Sequence, residues 1–256
     1  MAIAQEAASE VRIWYLGHSA WLAETAGYRL LFDYGRLPLR PAAGTLNQGV
    51  FDPSAYQDRP LYIFSSHQHA DHFDIDLMRD AAGYPGTTLI VGQEGRATAK
   101  VKNLANCQIA EPRGFIQTAS FSVWASRSTD SGVSFLAAGP DRVYYHGGDL
   151  AVWDDTSAYR TDFRREADWL AAKLAAAGRT LDIAFLPVST SDGYQETALL
   201  DGVEYLAERL RPKHIFPMHA HGFEALYRDF ADKMQSVMPE IRIHIPVKPG
   251  DSFTIS

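Results

Sequence analysis

Cysteine is almost absent from this sequence, since Cys107 is the only one in 256 residues. A single cysteine cannot form an internal disulfide, so the fold cannot depend on one. Cys107 lies in a predicted strand and is expected to be a small core residue. Long apolar runs are missing too, because no stretch approaches the ~20 apolar residues that span a bilayer. We therefore expect no membrane as a partner.

Positive charge is also scarce. Lysine and arginine number 24 against 31 aspartate and glutamate, which gives a formal net charge of −7. Such a balance disfavours binding to a polyanion, so nucleic acid is not an expected partner. The first residues lack the basic region and the apolar run of a signal peptide, which predicts a cytoplasmic protein. A homo-oligomer is compatible with the sequence.

The remaining composition is typical of a globular domain, with 46% hydrophobic and 21% charged residues. No linker or shift in composition divides the chain. We predict one domain over residues 1–256, with residues 1–10 flexible. Two strand-rich sections with helices mixed in fit an α/β fold in which helices pack outside two central sheets.

Candidate metal-binding side chains are concentrated in Leu61–His72, which reads LYIFSSHQHADH. The first four residues form an apolar run typical of a buried strand. Three imidazoles and a carboxylate follow within six residues, from His67 to His72. These are the groups that zinc and similar divalent ions take as ligands. A single ion needs three or four ligands, so this crowding suggests two metal ions bound side by side by the same segment.

Two later strands also end in candidate ligands. The apolar run Val143-Tyr144-Tyr145 leads into His146, two glycines and Asp149. Glycines before a carboxylate allow it to approach a metal closely. The run from His214 to Met218 leads into His219, Ala220 and His221.

With the H-x-H-x-D-H motif, these runs resemble the metallo-β-lactamase-fold hydrolases. The Gly17-His18-Ser19 run is similar to the branch that includes ascorbate-phosphate lactonase, although the whole sequence looks like an uncharacterised branch. The resemblance implies a four-layer αβ/βα sandwich with the metal site at one edge. It also implies a set of metal ligands: His67, His69, Asp71, His72, Asp149 (bridging two ions) and His219.

One ligand expected from the resemblance is missing. Related proteins supply a third histidine to the first metal just before a Thr-Asp-Ser-Gly-like run, and here Ser128 occupies that place. No histidine lies between His72 and His146. We expect the first metal to have His67, His69 and Asp149, with water filling the gap.

Other residues are candidates for the substrate side of the site or for contact with the ligands. Asp33, at the end of a strand, could hydrogen-bond a ligand histidine and fix its tautomer. His18 and His146 could face the pocket or support it. Arg127 could bind an anionic group or lie on the surface, and Ser128 adjoins it.

The leading hypothesis is a metal-dependent hydrolase of a small-molecule ester, lactone, thioester, amide or phosphodiester. Zinc is the expected metal, with one or two ions per chain and manganese or iron as alternatives. The metal would lower the pKa of a bound water to give hydroxide. Asp71 would orient that hydroxide and take up a proton, and His221 would stabilise negative charge on the substrate. The alternative is a binding protein of the same fold with a degenerate catalytic site.

Overall fold

The structure is a computed structural model that describes residues 10–38, 40–190, 197–220 and 222–256. Its strands, in chain order, are β1 (Val11–Gly17), β2 (Ala20–Glu24), β3 (Arg29–Phe32), β4 (Leu61–Ser65), β5 (Thr87–Gly92), β6 (Cys107–Ala110), β7 (Gly114–Gln117), β8 (Ser122–Arg127), β9 (Val133–Ala138), β10 (Val143–His146), β11 (Ile183–Pro187), β12 (His214–Met218), β13 (Arg242–Ile243) and β14 (Ser252–Ile255). Its α-helices are α1 (Ile75–Ala81), α2 (Gly95–Val101), α3 (Ser157–Ala176), α4 (Thr197–Leu210) and α5 (Leu226–Val237). Two 3₁₀ helices, Leu46–Gln48 and Pro53–Ala55, lie in the loop between β3 and β4.

These strands form two mixed seven-stranded sheets. The first has the order β14-β1-β2-β3-β4-β5-β6 and the second the order β13-β12-β11-β10-β9-β8-β7. Strands β3 to β6 run parallel in the first sheet, and β10 to β13 run parallel in the second. Parallel strands present their carboxyl ends at one edge of a sheet. Residues that directly follow β3, β4, β10, β11 and β12 therefore meet at one edge of the molecule.

Alternation along β4 explains why helices cover the first sheet. Tyr62 and Phe64 belong to the core between the two sheets. Leu61 and Ile63 point to the other face and pack in a second core with Leu77 of α1. Successive strand side chains point to opposite faces, so a strand that is apolar at every position needs a partner layer on both sides.

The second sheet is covered by α3, α4 and α5. The apolar stripe of α3, which includes Phe163, Ala167 and Leu170, recurs at helical spacing and is buried against this sheet. Thr156 begins the helix, because its hydroxyl accepts a hydrogen bond from the Tyr159 amide at 3.3 Å. Helix, sheet, sheet and helix layers confirm the predicted αβ/βα sandwich.

Aromatic side chains fill the space between the sheets directly beneath the strand ends. Phe185 of β11 is fully buried, with its ring 5.2 Å from Trp21, 5.6 Å from Phe32 and 5.5 Å from Phe216 between centroids. Trp21 and Phe32 belong to the first sheet and Phe216 to the second. This cluster therefore joins the two sheets under the edge where the polar strand ends meet.

Truncation of Phe185 in this aromatic cluster should destabilise the fold. We expect Phe185→Ala to lower the free energy of unfolding by about 3–5 kcal/mol, because it removes transfer free energy and leaves a cavity between the sheets. Urea unfolding followed by tryptophan fluorescence measures the change. The matched control is Phe115→Ala, since Phe115 is 54% exposed, and it should cost about 0.5 kcal/mol or less. Equal losses would contradict the assignment of Phe185 to the core.

Among the described residues, no helix combines the length and the apolar character that a membrane span requires.

Candidate functional site

The motif that follows β4 folds into a tight turn. The amides of His72 and Phe73 both donate to the His69 carbonyl at 3.0 Å. The Ser65 hydroxyl donates to the carbonyls of His67 and His72, each at 3.2 Å. The turn buries the rings of His67 and His72 and leaves His69 exposed. It therefore presents its histidines to the edge where the strand ends meet.

Asp149 lies at the centre of three of these imidazoles. One carboxylate oxygen, Oδ2, is 3.2 Å from Nε2 of His67. The other, Oδ1, is 3.3 Å from Nε2 of His72 and 3.4 Å from Nε2 of His219. Gly148 makes this possible, because its φ is +52° and a Cβ there would lie 2.8 Å from Ser66. Strands from both sheets thus meet through one carboxylate.

Several inward-facing atoms of this cluster lack a hydrogen-bond partner. They are buried, and they are Nε2 of His67, Nε2 of His72 and Oδ1 of Asp149. A buried polar atom without a partner costs about 1–3 kcal/mol. A divalent ion among them would satisfy all three, so the donor set fits a metal.

The outward-facing nitrogens settle which tautomer each ring adopts. His219 Nδ1 lies 2.9 Å from the Ser189 carbonyl, which can only accept, so this nitrogen carries the proton. His72 Nδ1 donates in the same way to Asp33 Oδ2 at 2.8 Å. In each case Nε2 faces inward, and in the neutral ring its lone pair is available to a metal.

Ser66 fixes the same tautomer of His67, with the proton on Nδ1. The Ser66 hydroxyl gives its proton to Asp33 Oδ2 at 2.6 Å. Its oxygen, 2.9 Å from His67 Nδ1, must then accept a hydrogen bond from that nitrogen. Asp33 thus orients His72 directly and His67 through the serine.

Charges inside the cluster shift its pKa values strongly. Burial and the neighbouring His72 lower the pKa of His67 to about 4. Burial also opposes protonation of His72, but the carboxylates of Asp149 and Asp33 outweigh it and raise the pKa of His72 to about 9. Burial would raise the pKa of Asp149, yet His72 and His219 hold it well below its usual range. Metal binding must therefore displace a proton from His72 at neutral pH.

His18 and Asp71 form the wall beside His72 and His219. His18 Nε2 is 3.1 Å from Asp71 Oδ2, and the His18 ring lies 4.4 Å from that of His219. Nitrogens of His18, His72 and His219 lie within 4.8 Å of one another. Burial lowers the pKa of His18 to about 3, so the ring is neutral at physiological pH. His18 therefore faces the cluster itself.

His146 supports the cluster from behind. Its Nε2 donates to the Ser19 carbonyl at 2.9 Å, and its Nδ1 accepts from the Gly148 amide at 3.2 Å. Both ring nitrogens are thus engaged away from the cluster, and the ring stacks on Phe32 at 5.1 Å. Its contact with Gly148 holds the backbone that places Asp149.

Two further predicted site residues, Arg127 and Ser128, lie at the end of β8. Arg127 is exposed, and its backbone amide donates to Glu166. Ser128 is buried in the turn that follows β8. His221 and residues 1–9 lie outside the described part of the chain.

Sequence reasoning missed one carboxylate that the fold brings to the cluster. Ligand atoms of His69, Asp130 and Asp149 lie within 4.8 Å of one another. Asp130 belongs to the Thr-Asp-Ser-Gly-like run that follows Ser128. Its position in that run was visible, but its proximity to His69 depends on tertiary contacts.

A family model for the β-lactamase superfamily domain matches residues 12–161, more than half of the chain. The chain belongs to the metallo-β-lactamase superfamily. It is similar to a UPF0173 metal-dependent hydrolase of Pyrobaculum calidifontis, with 27% identity over 94% of this chain and 98% of the relative. The corresponding protein of Pyrobaculum neutrophilum is 28% identical over the same shares.

Solved structures share the fold of this superfamily member. Igni18, a metallo hydrolase from Ignicoccus hospitalis, superposes with a TM-score of 0.68 at 18% identity, covering 97% of this chain and 99% of its own. CmlA, a diiron β-hydroxylase from Streptomyces venezuelae, gives 0.59 at 14% identity, covering 96% of this chain and 54% of its own. At these identities the likeness shows the fold alone.

A cavity of about 350 Å³ adjoins the metallo-β-lactamase-type cluster and includes His18 in its lining. Much of its wall is apolar, with Leu16, Leu37 and Pro249 as members. Arg40 also contributes; its guanidinium donates to the Leu16 carbonyl at 2.9 Å and lies 3.8 Å from the Tyr34 ring centroid. This cavity can take a small, largely apolar group beside His18.

Proposed function

We propose that this protein is a metal-dependent hydrolase of a small molecule with an ester, lactone, thioester, amide or phosphodiester bond. The observation that carries the proposal is the convergence of buried ligand atoms on Asp149. Three imidazole Nε2 atoms lie 3.2–3.4 Å from its carboxylate. Structural histidines normally satisfy both nitrogens by hydrogen bonding, as His146 does.

We assign the predicted ligands to two groups around Asp149. His67 and His69 would hold one ion, and Asp71, His72 and His219 the other, with Asp149 shared between them. A divalent ion held there acts as a Lewis acid and lowers the pKa of water toward ~7. Once His72 has lost its second proton, the tautomers fixed by Asp33 and Ser189 leave the inward Nε2 lone pairs available for it.

Asp71 is the candidate proton acceptor. Its side chain is 28% exposed, so it reaches both the cluster and solvent. Burial would raise its pKa, but the hydrogen bond from His18 and the charge of His72 lower it, so the carboxylate stays ionised at neutral pH. An ionised carboxylate beside the cluster can orient a water molecule and receive its proton.

The cavity beside His18 supports a small-molecule substrate. Its volume of about 350 Å³ lies at the lower end of ligand pockets. We propose that the apolar part of the substrate occupies it while the bond to be cleaved lies over Asp71. This predicts a preference for substrates with an apolar acyl or alkyl group.

Zinc remains our proposed metal, with manganese and iron as candidates. Imidazole suits zinc and iron equally, whereas carboxylates favour harder ions. The diiron β-hydroxylase CmlA has the same fold, so the fold itself is compatible with iron.

Metal removal tests the proposal. Protein purified without chelators should contain one or two equivalents of metal per chain, and dialysis against a chelator should abolish hydrolysis. Readdition of zinc, manganese or ferrous ion should restore it. The assay is a panel of lactones, thioesters and phosphodiesters with short and medium apolar groups, monitored together with elemental analysis.

Two results would overturn the proposal. Protein with less than about one equivalent of metal after purification and after reloading would contradict the metal site. Fully loaded protein without turnover on every class of the panel would favour a binding protein instead. A preference for short polar substrates would contradict only the role of the cavity.

A further inference from the structure

Ser128, which occupies the place of the missing histidine, uses its hydroxyl within its own turn. Its hydroxyl oxygen accepts a hydrogen bond from the Asp130 amide at 3.1 Å. Its own amide donates to the Gly132 carbonyl at 3.1 Å. This serine turn bends the backbone two residues before Gly132. The consequence is that Asp130, and not Ser128, stands at the tip of the turn.

Thr129 ties this turn to the strand end that carries Asp149. Its hydroxyl donates to the Ala151 carbonyl at 2.6 Å and accepts from the Ala151 amide at 3.1 Å. The Tyr159 hydroxyl of α3 donates to the Thr129 carbonyl at 2.6 Å. Contacts on both sides of Thr129 therefore fix the position of the next residue, Asp130.

Gly132 ties the other end of the turn to the histidine motif. Its φ is +67°, and a Cβ there would lie 2.1 Å from the Ser66 carbonyl. The following amide, of Val133, donates to that same carbonyl at 3.1 Å. Only glycine permits so close an approach. The turn is thus held between the two segments that supply His67 and Asp149.

The Asp130 carboxylate lies within 4.8 Å of ligand atoms of His69 and Asp149. Ligands about 2.0–2.2 Å from one ion lie up to about 4 Å from each other. Asp130 and His69 are both exposed, so small rotations of their side chains would bring them to that separation. The His69 ring already stands edge-on to His67 at 4.6 Å.

We propose that Asp130 replaces the missing histidine as a ligand of the first metal, together with His67, His69 and Asp149. This inference rests on the metal site proposed above. Two imidazoles and two carboxylates form a harder donor set than three imidazoles and one carboxylate. It follows that this site holds manganese or ferrous ion better, relative to zinc, than a site with three histidines would.

Titration of metal-free protein with Mn²⁺ tests the inference, with the free ion measured by electron paramagnetic resonance and bound metal by elemental analysis. Wild-type protein should bind two equivalents. Asp130→Asn keeps the size of the side chain and removes its charge, and it should weaken one of the two equivalents at least tenfold. Asp130→Glu keeps the carboxylate and should retain both. The matched control is Asp154→Asn, which changes another exposed carboxylate nearby and should leave both unchanged.

Each contrary result has a separate meaning. If wild-type protein binds two equivalents and Asp130→Asn binds both with the same affinities, the role of Asp130 is overturned and the proposed hydrolase stands. If wild-type protein binds no ion, the proposed function fails, and this inference fails with it. Circular dichroism of each variant ensures that lost binding is not lost folding.

Discussion

Asp149→Ala should remove both metal ions, and it is the substitution with the largest expected effect on function. Its two carboxylate oxygens lie 3.2–3.4 Å from Nε2 of His67, His72 and His219. Substitution of a group that merely supports a ligand costs 10–100-fold in metal affinity. Loss of the shared ligand should therefore cost more than about 100-fold for each ion.

The measurement is metal content after equilibrium dialysis, with hydrolysis of the best panel substrate as a second readout. Asp149→Asn preserves the shape of the side chain, so it separates lost coordination from a local collapse. Asp154→Ala provides an exposed control on the same loop. Retention of two equivalents by Asp149→Ala, with a native circular dichroism spectrum, would sink the assignment of Asp149 as the shared ligand.

The two functional variants together distinguish the two ions. Asp130→Asn should affect one equivalent, because among the described residues Asp130 groups with His69 and Asp149. Asp149→Ala should affect both. If each variant removed the same single ion, the protein would hold one metal that all the ligands share. That result would leave the proposed hydrolase in place and reduce the number of metal ions per chain from two to one.

Local sequence patterns predicted most of the fold because they directly encode strands and helices. The apolar runs at residues 61–64 and 143–145 lie in the interior strands β4 and β10. The helical spacing of Phe163, Ala167 and Leu170 is likewise a local pattern, and these residues lie in α3. Strand β7 was not predicted, because its partly exposed, four-residue pattern carries little apolar signal. Its pairing with β8 depends on the neighbouring sheet.

The candidate site was predictable to the extent that its residues directly follow strands. His67, Asp149 and His219 each come within a few residues of a parallel strand end, and the sheet order alone brings them together. Asp130 could not be found in this way. Its place depends on the Ser128 turn, on the contact of Thr129 with Ala151, and on the approach of Gly132 to Ser66. The last two are long-range contacts that no local sequence pattern records.

Asp33 connects the site to the stability of the fold. It is fully buried at the end of β3. Its carboxylate accepts hydrogen bonds from the Ser66 amide at 2.7 Å, the Ser66 hydroxyl at 2.6 Å and His72 Nδ1 at 2.8 Å. Nδ1 of His146 lies 3.6 Å from the same carboxylate. One buried charge thus holds the motif turn, the His72 imidazole directly and the His67 imidazole through Ser66.

Asp33→Ala should therefore lower the free energy of unfolding by about 3–5 kcal/mol, because it leaves buried donors without an acceptor. Metal affinity should fall 10–100-fold as His72 and His67 lose their fixed orientation. Urea unfolding of metal-free protein isolates the first effect, and metal titration measures the second. Asp182→Ala is the matched control, since Asp182 accepts from the Val143 amide at the opposite end of the parallel strands. It should cost about 1 kcal/mol and leave metal affinity unchanged. If the two variants lost equal stability and both retained full metal affinity, Asp33 would not be the residue that orients the site.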